Sequence, residues 1–121
     1  MNIIRVVVAG PFYEPFDYLL PTDWLPPPLG SRVWVSVRNK DHVGIVVAHA
    51  TETHVPVAKL KWLLRLIEST ALVDPLHMRF IAWLADYYHA PLGDMYQLAL
   101  PALLRNGTLA ELLPIHHVRL T

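Results

Sequence analysis

Apolar and polar positions are distributed differently in the two halves of this chain. Ile3 to Val8 is a β-branched run ending at Gly10-Pro11, which predicts a first strand. In Pro15-Phe16-Asp17-Tyr18-Leu19-Leu20-Pro21, Phe16, Tyr18 and Leu20 alternate with Asp17 and Leu19. That is the two-residue period of a strand with one face buried. The flanking prolines predict that it is short and lies at a sheet edge, with Asp17 pointing away from the two rings. On periodicity alone, Asp17 is equally well read as the solvent-side residue of an ordinary edge strand. Ser31 to Val37 predicts a further strand, Arg38-Asn39-Lys40-Asp41 a polar turn, and His42 to His49 its hairpin partner. Gly44 inside that partner predicts a bulge or a close backbone approach. Lys59 to Ile67 fits a helical stripe and a strand face equally well; the β-rich context favours a strand.

The second half has the helical period. Asp74-Pro75 is a cap followed by proline at the first helical position. Leu76, Phe80, Ile81, Leu84 and Tyr88 then recur at helical spacing, predicting a helix over 75–89. Pro91-Leu92-Gly93 breaks it, and Asp94 starts or caps a second helix through Leu100, ended by Pro101. Asn106-Gly107 closes the last helical turn. Leu109, Leu112 and Leu113 fit the start of a further short helix. The fold class is α+β: a small antiparallel sheet or barrel followed by helices packed at one end.

Composition narrows the function. At 121 residues there is room for one domain, which buries roughly 65% of its unfolded surface without metal or disulfide. No cysteine is present, which excludes thiolate chemistry and cysteine-based zinc sites. No apolar run reaches the roughly 20 residues of a membrane span. The N-terminus lacks the lead-in and cleavage site of a signal peptide, so a cytoplasmic location is expected. Ten basic residues balance ten acidic ones. This argues against gripping long nucleic acid by phosphate neutralisation, but not against holding a single nucleotide. The hydrophobic content of 54% leaves room for an apolar face meant for another domain.

The histidines lack chelating spacing. His42 and His49 face opposite sides of one strand, His116-His117 are adjacent, and no HExxH occurs, so no metal is expected. There is no GxSxG and no glycine-rich phosphate loop. The chain reads as a binding module without cofactor, not an enzyme. Pro26-Pro27-Pro28 is better read as a rigid spacer than as an SH3-type ligand. The rings of Asp86-Tyr87-Tyr88-His89 are better read as core than as a site.

Six motifs stand in order: Phe16 to Pro21, Gly44 to Val47, Leu60-Lys61, Ala85 to His89, Pro91 to Asp94 and Ala99 to Pro101. Together they resemble the N-terminal domain of the PriA-type replication-restart helicases, covering residues 3 to about 107. The resemblance implies a 3′ DNA-binding domain over 1–107 that takes the 3′-OH end of a nascent strand at a stalled fork. It implies a linker beginning at 108–121, and a helicase motor lying outside this chain. The implied partners are DNA with a free 3′-OH end, forked or single-stranded, the remainder of the helicase chain and primosome proteins.

In that family the terminal nucleotide sits among a Phe-Asp pair, the following hairpin and a lysine. Carried over, these are Phe16, Asp17 and Lys61. The family's Pro-Phe-Gly turn is replaced here by Ser36-Val37-Arg38-Asn39, which offers Arg38 as a phosphate contact instead of a close backbone approach. A carboxylate accepts from a free hydroxyl and repels a terminal phosphate; a ring offers its face to any base. Such a pocket is base-tolerant and end-selective. The competing reading is a protein-interaction module docking on the helicase body or primosome partners. A pocket for some other small ligand stays open as a third.

Overall fold

The computed structural model describes residues 2–68 and 70–100. Six strands form one sheet in the order β5-β2-β1-β4-β3-β6. They are β1 (Ile3–Val8), β2 (Phe16–Leu19), β3 (Arg32–Val37), β4 (Lys40–Ala50), β5 (Lys61–Trp62) and β6 (Arg65–Leu66), followed by α1 (Pro75–Tyr87) and α2 (Leu92–Ala99). The fold is α+β with a barrel-like sheet. All pairings are antiparallel except β2 with β5, which is parallel. The departure from a purely antiparallel sheet has a topological cause. β4 runs parallel to β2, and the connection after it crosses over to β2's outer side without reversing direction.

The curl of the sheet is visible in one bond. Strands β2 and β3 are separated by β1 and β4, yet Tyr18 Oη donates to Ser36 O over 2.9 Å. The stretch from Lys61 to Ile67 joins the two edges: Leu63 N donates to Leu19 O beside β2, and Leu64 N to Trp34 O on β3. It is therefore extended, as its context favoured. Neither two-residue strand is long enough to display a period.

Two apolar layers result. Ile4, Val6 and Val8 of β1 point into the curl with Tyr18, Val33, Val35 and Leu63. Val7, Val43 and Ile45 face the other way, beneath Met78, Ile81 and Tyr96 of the helices. Burial on both faces explains why β1 is a continuous apolar run instead of an alternating one. Gly44 is the close approach its position predicted: a Cβ there would collide with the Val6 side chain. The register shift lies further along β4, at Val47, which no β1 residue opposes. Gly93 lets the start of α2 rest on β1, with its N–H donating to Phe12 O over 2.9 Å.

Arg32 is wholly buried and paired with Glu68, Nη2 donating to Oε1 over 2.8 Å and the backbone N–H to Oε2 over 2.8 Å. The hairpin turn is tighter than the sequence predicts. Val37 pairs with Lys40, leaving only Arg38 and Asn39 as the loop, at φ 54° and 67°. Positive φ at both positions is the type I′ turn whose twist matches that of the strands.

Asp74 caps α1 as expected, accepting from His77 N over 2.7 Å with Pro75 in the first turn. At the other end His89 adopts φ 53°, and Ala90 N and His89 N return to Ala85 O and Asp86 O, a Schellman closure. The face α1 buries differs from the predicted stripe. Met78, Ile81 and Ala85 are buried; Leu76, Phe80 and Tyr88 are exposed. Tyr87 and Tyr88, read as core, are 63% and 64% exposed. The helix carries large apolar residues on opposite sides, and periodicity cannot tell which side meets the sheet. The second helix starts at Leu92, two residues before Asp94. The expectations for Pro101, Asn106-Gly107, the leucines from 109 and the 108–121 linker lie outside the described residues.

Candidate nucleic-acid interface

The crossed connection places three chain segments around one opening. They are the start of β2, the tip of the β3–β4 hairpin, and the 3-10 turn over Val57–Lys59 leading into β5. Between them lies a recess of about 670 Å³. The adjacent pair Phe16 and Asp17 lines it together with Arg38 and Lys61, both far from them in sequence. β5 pairs only with Tyr18 and Leu19, so β2 is not a free edge strand throughout; its edge is open at Phe16 and Asp17. That is where the recess begins.

Asp17 is not the bare solvent-side carboxylate of an edge strand. Its side chain is 11% exposed, and its Oδ1 accepts from Arg5 Nε over 3.0 Å. Oδ2 accepts from Thr53 Oγ1. The Thr53 hydroxyl oxygen in turn accepts from Val55 N over 3.1 Å, which ties the loop after β4 to the site. Two partners fix the carboxylate's orientation and leave lone pairs on both oxygens for a further donor. The alternation of β2 holds: Asp17 and Arg5 form a cross-strand pair on one face, while Phe16 and Tyr18 turn toward the inner apolar layer.

Phe16 meets Phe12 edge to face, with centroids 5.0 Å apart. The Arg38 guanidinium stands 5.5 Å from the Phe12 ring centre. Hairpin tip and aromatic wall are thereby coupled. Burial pushes the Tyr18 hydroxyl up to about 12, so at neutral pH it stays a donor to Ser36.

The recess is locally basic within a formally neutral chain. Arg5, Arg38, Lys59 and Lys61 line it against Glu14 and Asp17. Four cations against two anions leave a surplus of two, enough for one or two phosphates. Sequence reasoning missed Arg5, Thr53 and Glu14, and left open whether Lys59 joins Lys61. Arg5 was detectable only through the β1–β2 register, and Thr53 sits in a polar stretch with no pattern. Among the described residues no three metal-ligating side chains come together, and no helix is long and apolar enough to cross a membrane.

A family model described as the 3′DNA-binding domain (3′BD) of PriA matches residues 5–101. The replication restart protein PriA of Haemophilus influenzae is 39% identical over 107 residues, covering 88% of this chain and 14% of that protein. The protein of the same name from Buchnera aphidicola subsp. Acyrthosiphon pisum is 31% identical over 106 residues, with the same two coverages. The chain spans about one-seventh of the length of these curated relatives.

Proposed function

This chain belongs to the PriA 3′ DNA-binding domain family, and from that premise we propose that its recess captures the terminal nucleotide of a DNA strand ending in a 3′-OH. The observation carrying the proposal is the convergence of Phe16, Asp17, Arg38 and Lys61 on one basic recess beside an oriented carboxylate. Asp17 accepts the hydrogen bond of the terminal hydroxyl. Phe16 supplies an apolar surface that any base can meet. Lys61 and Arg38 face the last phosphates as charges, offsetting the repulsion from Asp17. No residue in this scheme reads a base edge, so the capture is base-nonselective.

In a PriA-length protein working in replication restart, the ligand would be the nascent strand at a stalled fork. The partners would be the other domains of that chain and primosome proteins. Residues 1–107 would form the binding unit, with a linker starting at 108, and the location would be cytoplasmic. A labelled linear single strand compared with a closed circle of the same sequence tests the scheme. The linear strand binds and the circle does not; equal affinity would mean that the recess follows the backbone instead of its end.

A further inference from the structure

Helix α1 is apolar on the side turned away from the sheet. Leu76, Phe80, Trp83 and Tyr87 are 74%, 55%, 57% and 63% exposed. Their spacing is four, three and four residues, the seam of a two-helix coiled coil. The rings stack on one another along the helix. Phe80 and Trp83 lie 6.3 Å apart at 17°, Trp83 and Tyr87 5.2 Å apart at 18°. Trp83 is thus engaged with a ring on either side of it in the sequence, which leaves less of its faces open to a nucleic-acid base. Charge argues the same way. From Thr70 to Leu100 the chain carries Asp74, Asp86 and Asp94 against the single cation Arg79, an acidic balance that repels phosphate.

The seam is complementary to itself. In an antiparallel helix pair, facing residues share a common midpoint. Leu76 with Tyr87 and Phe80 with Trp83 are both centred between Ile81 and Ala82. A copy turned end for end therefore sets Phe80 against the partner copy's tryptophan in the middle of the seam, with the leucine–tyrosine pairs outside. Arg79 and Asp86 flank the seam on one side, two turns apart, both exposed and without a side-chain partner among the described residues. Their midpoint lies one residue further on, so the same two-fold arrangement brings each arginine near the aspartate of the other copy. Self-complementarity of this kind is what a two-fold interface requires.

We propose that two copies of this chain associate through antiparallel pairing of the outer face of α1. From the exposures above, the interface buries roughly 900 Å² in total, at the low end for specific association, so it is weak and concentration-dependent. It is independent of the recess and of what the recess binds.

Sedimentation equilibrium of the 121-residue chain at rising concentration tests this, with the mass expected to climb from 13.8 kDa toward twice that value. Trp83→Ser, on an exposed position, holds the mass at the monomer. Arg79→Asp and Asp86→Arg each weaken association about tenfold, and the double exchange restores it, since the charges still oppose one another across the axis. A monomer at every concentration up to about 1 mM overturns the proposal and gives the face to a different partner. Association that survives Trp83→Ser, or charge reversals that fail to rescue each other, overturns it as well.

Discussion

Arg5 stands directly across the β1–β2 ladder from Asp17, and its Nε donates to the carboxylate over 3.0 Å. With Thr53 on the other oxygen, Asp17 is held in one orientation before any ligand arrives. Preorganisation of this sort lowers the cost of binding, because no side chain has to be ordered on association.

Under the proposed capture, replacing Asp17 by Ala removes the acceptor for the terminal hydroxyl and costs about 1.5–3 kcal/mol of binding to a 3′-OH strand, the range for a hydrogen bond to a charged group. Stability changes by less than about 1 kcal/mol, because Arg5 is partly exposed and water takes over its guanidinium. Anisotropy titration and urea unfolding on the same variant separate the two effects.

The hairpin tip separates stability from affinity differently. Asn39→Gly relieves a positive φ and raises stability by about 0.5 kcal/mol, leaving the DNA affinity unchanged. Arg38→Gly relieves the neighbouring φ but loses the contact with Phe12, so its stability stays near that of the parent. It also removes a charge from the recess, and the slope of log K against log salt falls by about 0.7. Titrations at several salt concentrations read that slope.

Much of the first half was legible because its strands alternate or run apolar between proline and glycine stops. The six motifs single out Phe16, Asp17 and Lys61, and the structure brings these three to one recess. What escaped depends on partners distant in sequence. The Arg5–Asp17 pair is set by register, and Arg32–Glu68 by a contact across 36 positions. The buried face of α1 is hidden from the sequence for a related reason: two opposite apolar faces give the same period, and only the docked sheet distinguishes them.

Glu68→Ala removes the carboxylate that accepts from the buried Arg32 guanidinium and backbone N–H, and lowers stability by about 3 kcal/mol. Urea unfolding shows this as a lower midpoint at unchanged slope. The recess lies elsewhere, so DNA affinity at temperatures where the variant is folded is retained.

Alkaline pH destabilises the fold through two tyrosines. Burial pushes the hydroxyls of Tyr18 and Tyr96 from 10.0 to about 12. Both are acids raised in the folded state, so their contribution is present below pH 10 and lost as the pH climbs toward 12. It amounts to roughly 2–3 kcal/mol each. Tyr96→Phe removes about half of that loss, measured as the stability difference between pH 9 and pH 12.

The proposed capture depends on a carboxylate that accepts a hydroxyl and rejects an anion. Binding of one oligonucleotide, synthesised once with a 3′-OH and once with a 3′-phosphate, tests it most directly. The hydroxyl form should bind at least about tenfold more tightly, with the difference collapsing in Asp17→Ala. Equal affinity for the two ends, or preference for the phosphate, would contradict it.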